Sequence, residues 1–340
     1  MKHYDVVIIG GGTAGIFAAY ELNHLHPELK IAMIERGNPI RKRVCPIIAG
    51  KTKSCVGCAS CCIMNGFGGA GAFSDGKFNF TTEFGGWLHD YLSPDEVMML
   101  IEYVDSVNIR FGATTERFST YSPEAAELEK QALHHDLHLL KAAVKHLGTE
   151  KNLKILSNMA EDLSGKADIF CNMEVEEILP REDGLYELAA SGTERFLCTY
   201  LIVAPGRSGA EWFSSECKRM GINLINNQVD IGVRVELPAA VFEHITDVVY
   251  EAKLVYRTKQ YGDSVRTFCM NPYGHVVTEN VDGIITVNGH SYSDASLRSE
   301  NTNFALLVSN RFTQPFNEPY QYGKRIASLS NMLGGGVLVQ

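Results

Sequence analysis

The chain has 340 residues, of which 45% are apolar and 21% charged, so it can bury a large hydrophobic core. Its net charge of −9 argues against nucleic acid or an anionic membrane as the main partner. No apolar run approaches the roughly 18 residues of a membrane span. We therefore expect a cytoplasmic protein without a membrane partner, in which the nine cysteines are reduced.

The chain begins with a dinucleotide-binding pattern. The β-branched run Val6–Ile9 predicts a strand buried in a parallel sheet. Glycines 10, 12 and 15 follow in G-x-G-x-x-G spacing, and a helical pattern extends from Thr13 to about Leu25. A second predicted strand ends at Glu35, 20 residues after the last glycine. This context predicts a pyrophosphate at the helix N-terminus, with Glu35 accepting hydrogen bonds from a ribose.

A cysteine-rich segment comes next. Cys55, Cys58 and Cys61 have the C-x2-C-x2-C spacing of an iron–sulfur site, and Cys45 lies ten residues upstream as a fourth ligand. Zinc also accepts four thiolates. A redox-active dithiol and a purely structural role are the alternatives. The spacing leaves all of these open, and the short basic stretch at 41–43 is interpreted as a solvated loop.

The segment 93–148 is predicted to be helical. Ser93 suits an N-cap before Pro94, and Ser122 begins a second helix of the same kind, expected to end at Gly148. His134 and His138 would share one face of that helix. No glutamate stands between them as a metalloprotease site would need, so we interpret this face as solvated.

The rest of the chain is predicted to be rich in strands. Successive strands are expected over about 168–204, and alternating strands after residue 213 favour a mixed or antiparallel domain. Polar residues in that region are candidates to bind a carboxylate of the substrate or to transfer a proton to or from it. They are Arg234, His275, His290 and Arg298.

Three stretches together resemble a large family of bacterial FAD-dependent dehydrogenases in the glutathione-reductase superfamily. They are NGFGGAGAFSDGK at 65–77, LIVAPGRSGAEWF at 201–213 and NPYGHVVTENVDGIITVNGHS at 271–291. The resemblance implies an α/β fold, in which a Rossmann-like, doubly wound FAD-binding domain carries an inserted mixed α+β substrate domain. We place the FAD-binding domain at 1–92 and 150–212, the helical segment at 93–149 and the substrate domain at 213–340.

The resemblance also implies the cofactor contacts. The second glycine run would lie along the pyrophosphate and the flat flavin ring. Glycine is needed there because a Cβ atom would separate the backbone from the ring. Ser74 and Lys77 would donate hydrogen bonds to the flavin edge, although Lys77 also suits an ordinary surface position. The expected cofactor-binding residues are Gly10, Gly12, Thr13, Ala14, Gly15, Glu35, Arg36, Gly68, Gly69, Ala70, Ser74, Lys77, Val175, Ala204 and Gly206.

One departure from the superfamily concerns its late Gly-Asp motif. The pair Gly262–Asp263 has no apolar strand before it, so it does not match this motif. Because the sequence stops in the apolar run NMLGGGVLVQ, we expect a chain that lacks the last FAD-binding segment.

Two classes of function remain open. The first is an FAD-dependent oxidoreductase acting on a small-molecule substrate, with NAD(P)H as a possible donor although no second fingerprint is present. The second is a flavin- or nucleotide-binding redox sensor or interaction module with little turnover. The sequence leaves the substrate, the acceptor, the catalytic residues and the oligomeric state undetermined.

Overall fold

The computed structural model describes residues 1–281, 283–316 and 318–335. The chain divides into two compact units. The first comprises Met1–Phe73, Leu156–Ile225 and Glu279–Gly283, and the second comprises Ser74–Ile155, Asn226–Thr278 and the chain from Ile284 onward. Among the described residues, no helix is both long and apolar enough to cross a membrane.

The elements are numbered in chain order. The helices are α1 (Thr13–Leu25), α2 (Pro94–Arg110), α3 (Pro123–Leu133), α4 (Thr149–Leu163), α5 (Ala210–Arg219), α6 (Ala239–Thr246) and α7 (Pro319–Leu333). The strands are β1 (Lys2–Ile9), β2 (Ile31–Glu35), β3 (Lys77–Phe80), β4 (Phe118–Ser119), β5 (Leu137–Leu140), β6 (Ala143–His146), β7 (Asp168–Cys171), β8 (Val175–Pro180), β9 (Tyr186–Ala190), β10 (Arg195–Val203), β11 (Val229–Pro238), β12 (Lys253–Arg257), β13 (Ser264–Asn271), β14 (His275–Val281), β15 (Ile284–His290) and β16 (Asn301–Asn310).

The first unit is built on a six-stranded sheet with the order β7-β2-β1-β10-β9-β8. Strands β7, β2, β1 and β10 are parallel, and β9 and β8 continue the sheet in antiparallel register. Helix α1 connects β1 to β2, as a parallel pair requires. Val7, Ile34 and Phe196 are fully buried in its core, which agrees with the predicted continuous apolar strands.

The second unit contains a five-stranded antiparallel sheet with the order β11-β16-β13-β12-β5. A smaller sheet has the order β3-β6-β4. The core of the unit includes Ala125, Val249, Met270 and Phe304. The described chain is therefore a mixed α/β protein, with a mixed parallel and antiparallel sheet in one unit and antiparallel sheets in the other.

The expectation of a second helix extending to Gly148 is wrong. Helix α3 ends at Leu133, and Asp136 has a φ of +58°, which a right-handed helix cannot contain. The following residues form β5, which pairs with β12, and β6, which pairs with β3 and β4. Strand pairing with distant segments therefore overrides the local helical pattern. His138 lies in β5, so His134 and His138 do not share a helix face.

The end of α7 corrects part of another expectation. Residues 331–333 of the apolar run NMLGGGVLVQ belong to this helix and not to a strand. Gly334 and Gly335 follow the helix as a turn, and residues 336–340 of the run lie outside the described residues.

Candidate functional site: a crevice between two glycine runs

The first glycine run follows β1 and allows two backbone approaches that a side chain would prevent. Gly10 has a φ of +103°, and a Cβ there would lie 2.1 Å from the carbonyl oxygen of Ala204. A Cβ on Gly15 would lie 2.0 Å from the carbonyl oxygen of Gly10. Helix α1 begins at Thr13 with Gly12 as its N-cap, and no side chain caps it. The helix N-terminus is therefore built to receive an anion.

The second glycine run packs directly on the first. The Gly68 amide donates to the carbonyl oxygen of Gly11 at 2.7 Å. A Cβ on Gly69 would lie 3.0 Å from the Cα of Gly12. Gly68 and Gly69 both have positive φ, at 92° and 59°. The two motifs that the sequence separates by more than fifty residues therefore form one backbone surface.

Glu35 ends β2 beneath this surface and is 6% exposed. Its Oε2 accepts the Gly11 amide at 2.8 Å, and its Oε1 accepts the amides of Gly37 and Gly66, each at 2.8 Å. A carboxylate offers about four acceptor directions. The structure thus gives Glu35 a role in holding both glycine runs, and one direction remains for the predicted ribose contact.

Arg43 corrects the interpretation of the basic stretch at 41–43 as solvated. It is 5% exposed and donates to the carbonyl oxygens of Cys62, Ile63, Phe67 and Gly69 at 2.7–2.9 Å. Burial lowers the pKa of Arg43 to about 10, so it is charged at neutral pH. The 62–69 loop is folded around this guanidinium. Only the folded chain reveals this role of Arg43, because the sequence around it has the composition of an ordinary loop.

The crevice at the two glycine runs encloses a cavity of about 310 Å³. Among its lining residues are most of the predicted cofactor contacts: Gly10, Gly12, Thr13, Ala14, Glu35, Arg36, Gly68, Gly69, Ala70, Val175, Ala204 and Gly206. The structure therefore brings together twelve positions that come from five separate segments of the sequence.

Several lining residues were not predicted. Arg207 lines the cavity with a side chain that is 61% exposed, and its Nη2 lies 2.6 Å from Glu279 Oε2. Trp212 also lines it, and its Nε1 donates to the carbonyl oxygen of Glu176 at 2.9 Å. Arg207 and Trp212 both follow the end of a strand and the glycine turn at 201–206. Their position just after a predicted cofactor turn is the signal that could have identified them.

Arg36 supplies a second cation to the lining of the crevice, in addition to Arg207. Its Nη1 donates to the carbonyl oxygen of Ser208 at 3.3 Å and lies 3.7 Å from Glu174 Oε1. The lining of the crevice therefore carries two guanidinium groups, each paired with a single carboxylate. It can present positive charge to a phosphate or hydrogen-bond donors to a ribose.

The cysteine-rich segment belongs to the first unit, and its thiols are free. Cys58 is exposed, whereas Cys45, Cys55, Cys61 and Cys62 are half-buried. Burial, followed by the charges of these four neighbours, raises the pKa of the Cys58 thiol. Across the described residues, however, no three or more His, Cys, Asp or Glu side chains come together as a metal site. The metal-ligand role of Cys45, Cys55, Cys58 and Cys61 therefore stays a prediction.

Ser74 and Lys77 belong to the second unit. The Lys77 ammonium is buried and donates to Glu251 Oε2 at 2.8 Å and to the carbonyl oxygen of Met270 at 2.5 Å, and it lies 3.3 Å from Asp75 Oδ2. Burial alone would lower the pKa of Lys77, but the charges of Asp75, Cys269 and Glu251 raise it well above the ordinary value. These acceptors already match its three N–H donors. The flavin contacts of Ser74 and Lys77 stay predictions.

A hydroxyl–imidazole cluster lies in the same unit and was not predicted. The Tyr250 hydroxyl lies 2.9 Å from His146 Nε2 and 2.7 Å from Ser291 Oγ, and Ser291 Oγ is 3.0 Å from His146 Nε2. Burial, reinforced by the charge of Lys77, lowers the pKa of His146 to about 3. The His146 imidazole is therefore neutral at physiological pH. Nothing in the local sequence around these three residues indicates that they meet.

The predicted substrate-side residues all lie in the second unit but have structural partners. Arg234 Nη1 donates to Asn303 Oδ1 at 2.6 Å, and His275 Nε2 lies 2.9 Å from the carbonyl oxygen of Leu297. His290 is 3% exposed. Arg298 makes a long contact of 3.5 Å with the carbonyl oxygen of Ser293. Their involvement with a substrate stays a prediction.

No protein-family model and no curated protein matches this sequence. Among solved structures, it is similar to glycine oxidase from Geobacillus kaustophilus, at 15% identity and a TM-score of 0.42, over 98% of this chain and 94% of that one. It is also similar to NikD, an amino acid oxidase essential for nikkomycin biosynthesis, at 12% identity and a TM-score of 0.45, over 94% and 72%.

An L-amino acid deaminase from Proteus myxofaciens matches at 15% identity and a TM-score of 0.40, over 69% of this chain. The chain spans 52% of that deaminase and 54% of the one from Proteus vulgaris, about half of their length. Because all of these TM-scores are below 0.5, the similarities assign neither a reaction nor a substrate to this chain.

Proposed function

We propose that the first unit binds FAD in the crevice between the two glycine runs, and that the chain is an FAD-dependent oxidoreductase of the dehydrogenase kind. The observation that carries the proposal is the backbone contact between Gly68 and Gly11, at 2.7 Å. It creates a surface without side chains next to an uncapped helix N-terminus. A pyrophosphate with an attached flat ring needs both features in one place.

The residues present fit the parts of FAD. The N-terminus of α1 would take the pyrophosphate, with Arg36 and Arg207 supplying positive charge. Glu35 keeps one acceptor direction for a ribose hydroxyl, and the backbone at Val175 would pair with the adenine edge. A Cβ on Gly10, Gly15 or Gly69 would lie 3.0 Å or less from backbone atoms, so these glycines keep the two runs packed in the shape that the cofactor would use. When bound, FAD supplies an acceptor for a hydride or for electrons.

The sequence resemblance supports the same assignment at the level of the fold. In this proposal the parallel sheet of the first unit is a Rossmann-like, doubly wound FAD-binding domain of the glutathione-reductase superfamily. Helix α1 and the glycine turn lie at the carboxyl end of β1, where such folds bind nucleotides. The substrate is proposed to be a small molecule, and no residue is assigned to catalysis.

The cysteine-rich segment is proposed as a second redox centre of the enzyme, either an iron–sulfur site or a thiol pair, whereas bound zinc would make the segment structural. The support for it is the C-x2-C-x2-C spacing together with the free thiols of all five cysteines in the segment. Amide groups contact two of the sulfurs, since Asn38 Nδ2 lies 3.9 Å from Cys62 Sγ and Asn280 Nδ2 lies 3.8 Å from Cys55 Sγ. Iron and zinc analysis of protein purified without oxygen distinguishes the metal site from the thiol pair.

The enzyme is tested by following the visible absorption of the flavin-loaded protein without oxygen. NADH, NADPH and a panel of small amines, hydroxy acids and amino acids are added in turn, and air is then admitted. Repeated bleaching and recovery of the flavin bands with one of these donors is the expected result. A protein that binds FAD but responds only once, with a change of shape, would instead be the alternative redox sensor or interaction module.

A further inference from the structure

The second unit contains a larger cavity, of about 710 Å³, that the proposed function does not use. Its size is within the range of small-molecule sites. The 84–90 segment forms one wall, and residues of β11 and β13 form another, together with Arg311 just after β16. Phe84, Trp87 and Phe268 give it aromatic surfaces, whereas Arg266 and Arg311 give it guanidinium groups.

The two arginines differ in how far they are neutralised. Arg266 forms an ion pair with Asp230, which also accepts a hydrogen bond from Ser309. Arg311 donates from Nε to the neutral amide oxygen of Gln228 at 3.0 Å. Within the described ranges, its guanidinium has no carboxylate partner. Because a guanidinium binds carboxylates with two parallel hydrogen bonds, Arg311 is suited to a planar anion.

A third cation lies behind the aromatic wall. Lys253 is 1% exposed, and its Nζ donates to the carbonyl oxygen of Phe84 at 3.2 Å. The ammonium lies 4.2 Å from the ring centroid of Phe84 and 4.4 Å from that of Phe268. Burial lowers the pKa of Lys253 to about 8, whereas the charge of Glu251 acts in the opposite direction.

The lining of the cavity carries two arginines and two aspartates, but these charges are unevenly paired. Asp230 is shared between Arg266 and Ser309. The remaining acid of the lining, Asp90, lies 3.5 Å from His89 and is largely exposed. A carboxylate ligand would supply the partner that Arg311 lacks among the described residues, and its aromatic part would use the three rings.

We propose that this cavity binds a small planar aromatic carboxylate, with its carboxylate on Arg311 and its ring against Trp87 and Phe268. Gly85 and Gly86 favour this geometry, because both have positive φ and neither presents a side chain to the cavity. An inorganic anion would use the arginines but not the aromatic surfaces. Every residue that lines this cavity belongs to the second unit.

The test uses the two tryptophans of the chain. Trp87 lines this cavity and Trp212 lines the glycine crevice, so each can be observed alone. In the Trp212→Phe variant, emission of Trp87 is followed during titration with benzoate, with benzamide and inorganic phosphate as controls. We expect a saturable change with benzoate and at least tenfold weaker binding of benzamide and of phosphate. In the Trp87→Phe variant, benzoate should leave the emission of Trp212 unchanged.

Arg311→Gln is expected to weaken benzoate binding by about tenfold or more, which corresponds to roughly 1.4 kcal/mol. Arg181→Gln is the matched control, because Arg181 is a partly exposed arginine of the first unit and should have no effect. Circular dichroism confirms that each variant is folded. The proposal is overturned if folded protein gives no saturable signal, if benzamide or phosphate binds as well as benzoate, or if Arg311→Gln binds benzoate with unchanged affinity.

Discussion

The Gly66 amide donates to Glu35 Oε1 at 2.8 Å, and this bond ties the second glycine run to the end of β2. Gly66 has a φ of +119°, and a Cβ there would lie 2.6 Å from the Cδ of Arg43. The loop therefore passes between a buried carboxylate and a buried guanidinium. Glu35 and Arg43 therefore both hold the backbone of the loop that forms one side of the crevice.

Glu35→Gln should destabilise the protein strongly, because a single amide oxygen cannot replace a carboxylate that accepts three backbone amides. Each lost charge-assisted hydrogen bond is worth about 1.5–3 kcal/mol. We expect a fall of about 2–4 kcal/mol in the free energy of unfolding, measured with urea. Glu174→Gln is the control, since that side chain is 57% exposed and 3.7 Å from Arg36. Equal effects of the two changes would contradict the role given to Glu35.

Arg43→Met keeps the apolar stem but removes every donor to the 62–69 loop. Buried carbonyl groups then lose their partners, so we expect a loss of about 3 kcal/mol or more. Hydrogen exchange should become faster at residues 62–69 in particular. Arg41→Met is the comparison, because Arg41 is 74% exposed and its ion pair with Glu161 is a surface pair worth at most about 1 kcal/mol. Unchanged exchange in the loop would refute the prediction.

Gly15→Ala tests the close packing of α1 against the glycine turn. Gly15 lies in α1 without a positive φ, so the added methyl group acts through its contacts, chiefly with the Gly10 carbonyl oxygen at 2.0 Å. Gly184→Ala is the opposite case, with a φ of +82° but no atom within 4 Å of the new Cβ. The latter should cost about 1 kcal/mol through backbone strain. Thermal unfolding should show a clearly larger loss for Gly15→Ala, and equal losses would contradict the packing.

The pKa of His146 predicts a specific dependence of stability on pH. The value is about 6.5 in the unfolded chain and about 3 in the folded one. Between these values only the unfolded chain binds the proton, so the contribution to stability is present above pH 6.5 and is lost as the pH falls. The slope is up to about 1.4 kcal/mol per pH unit. His146→Gln should reduce the slope measured between pH 4 and 6, and an unchanged slope would contradict the prediction.

The start of the fold was predictable from sequence because its signals are local. The predicted helix from Thr13 to about Leu25 and the strand ending at Glu35 are confirmed at those residues. A β-branched run, a glycine turn and a stretch of helical pattern define these elements without reference to the rest of the chain. The same holds for the strands expected over 168–204, which form β7 to β10.

Other features depend on contacts that the sequence does not display. Arg43 was interpreted as solvated because its acceptors are carbonyl groups of a distant loop, and any residue supplies a carbonyl. The segment after Leu133 was interpreted as helical because β5 and β6 form only when paired with β12 and β3. Tyr250, Ser291 and His146 are separated by up to 145 residues, so only the folded chain brings them together.

Binding of FAD to the glycine crevice is the central claim, and calorimetric titration of the purified, folded protein with FAD tests it most directly. Emission of Trp212 in the Trp87→Phe variant is recorded in parallel, with ADP and riboflavin as the two halves of the ligand. The account predicts one FAD per chain, a response of Trp212 to FAD and to ADP, and much weaker binding of riboflavin. Folded protein that binds neither FAD nor ADP would contradict it.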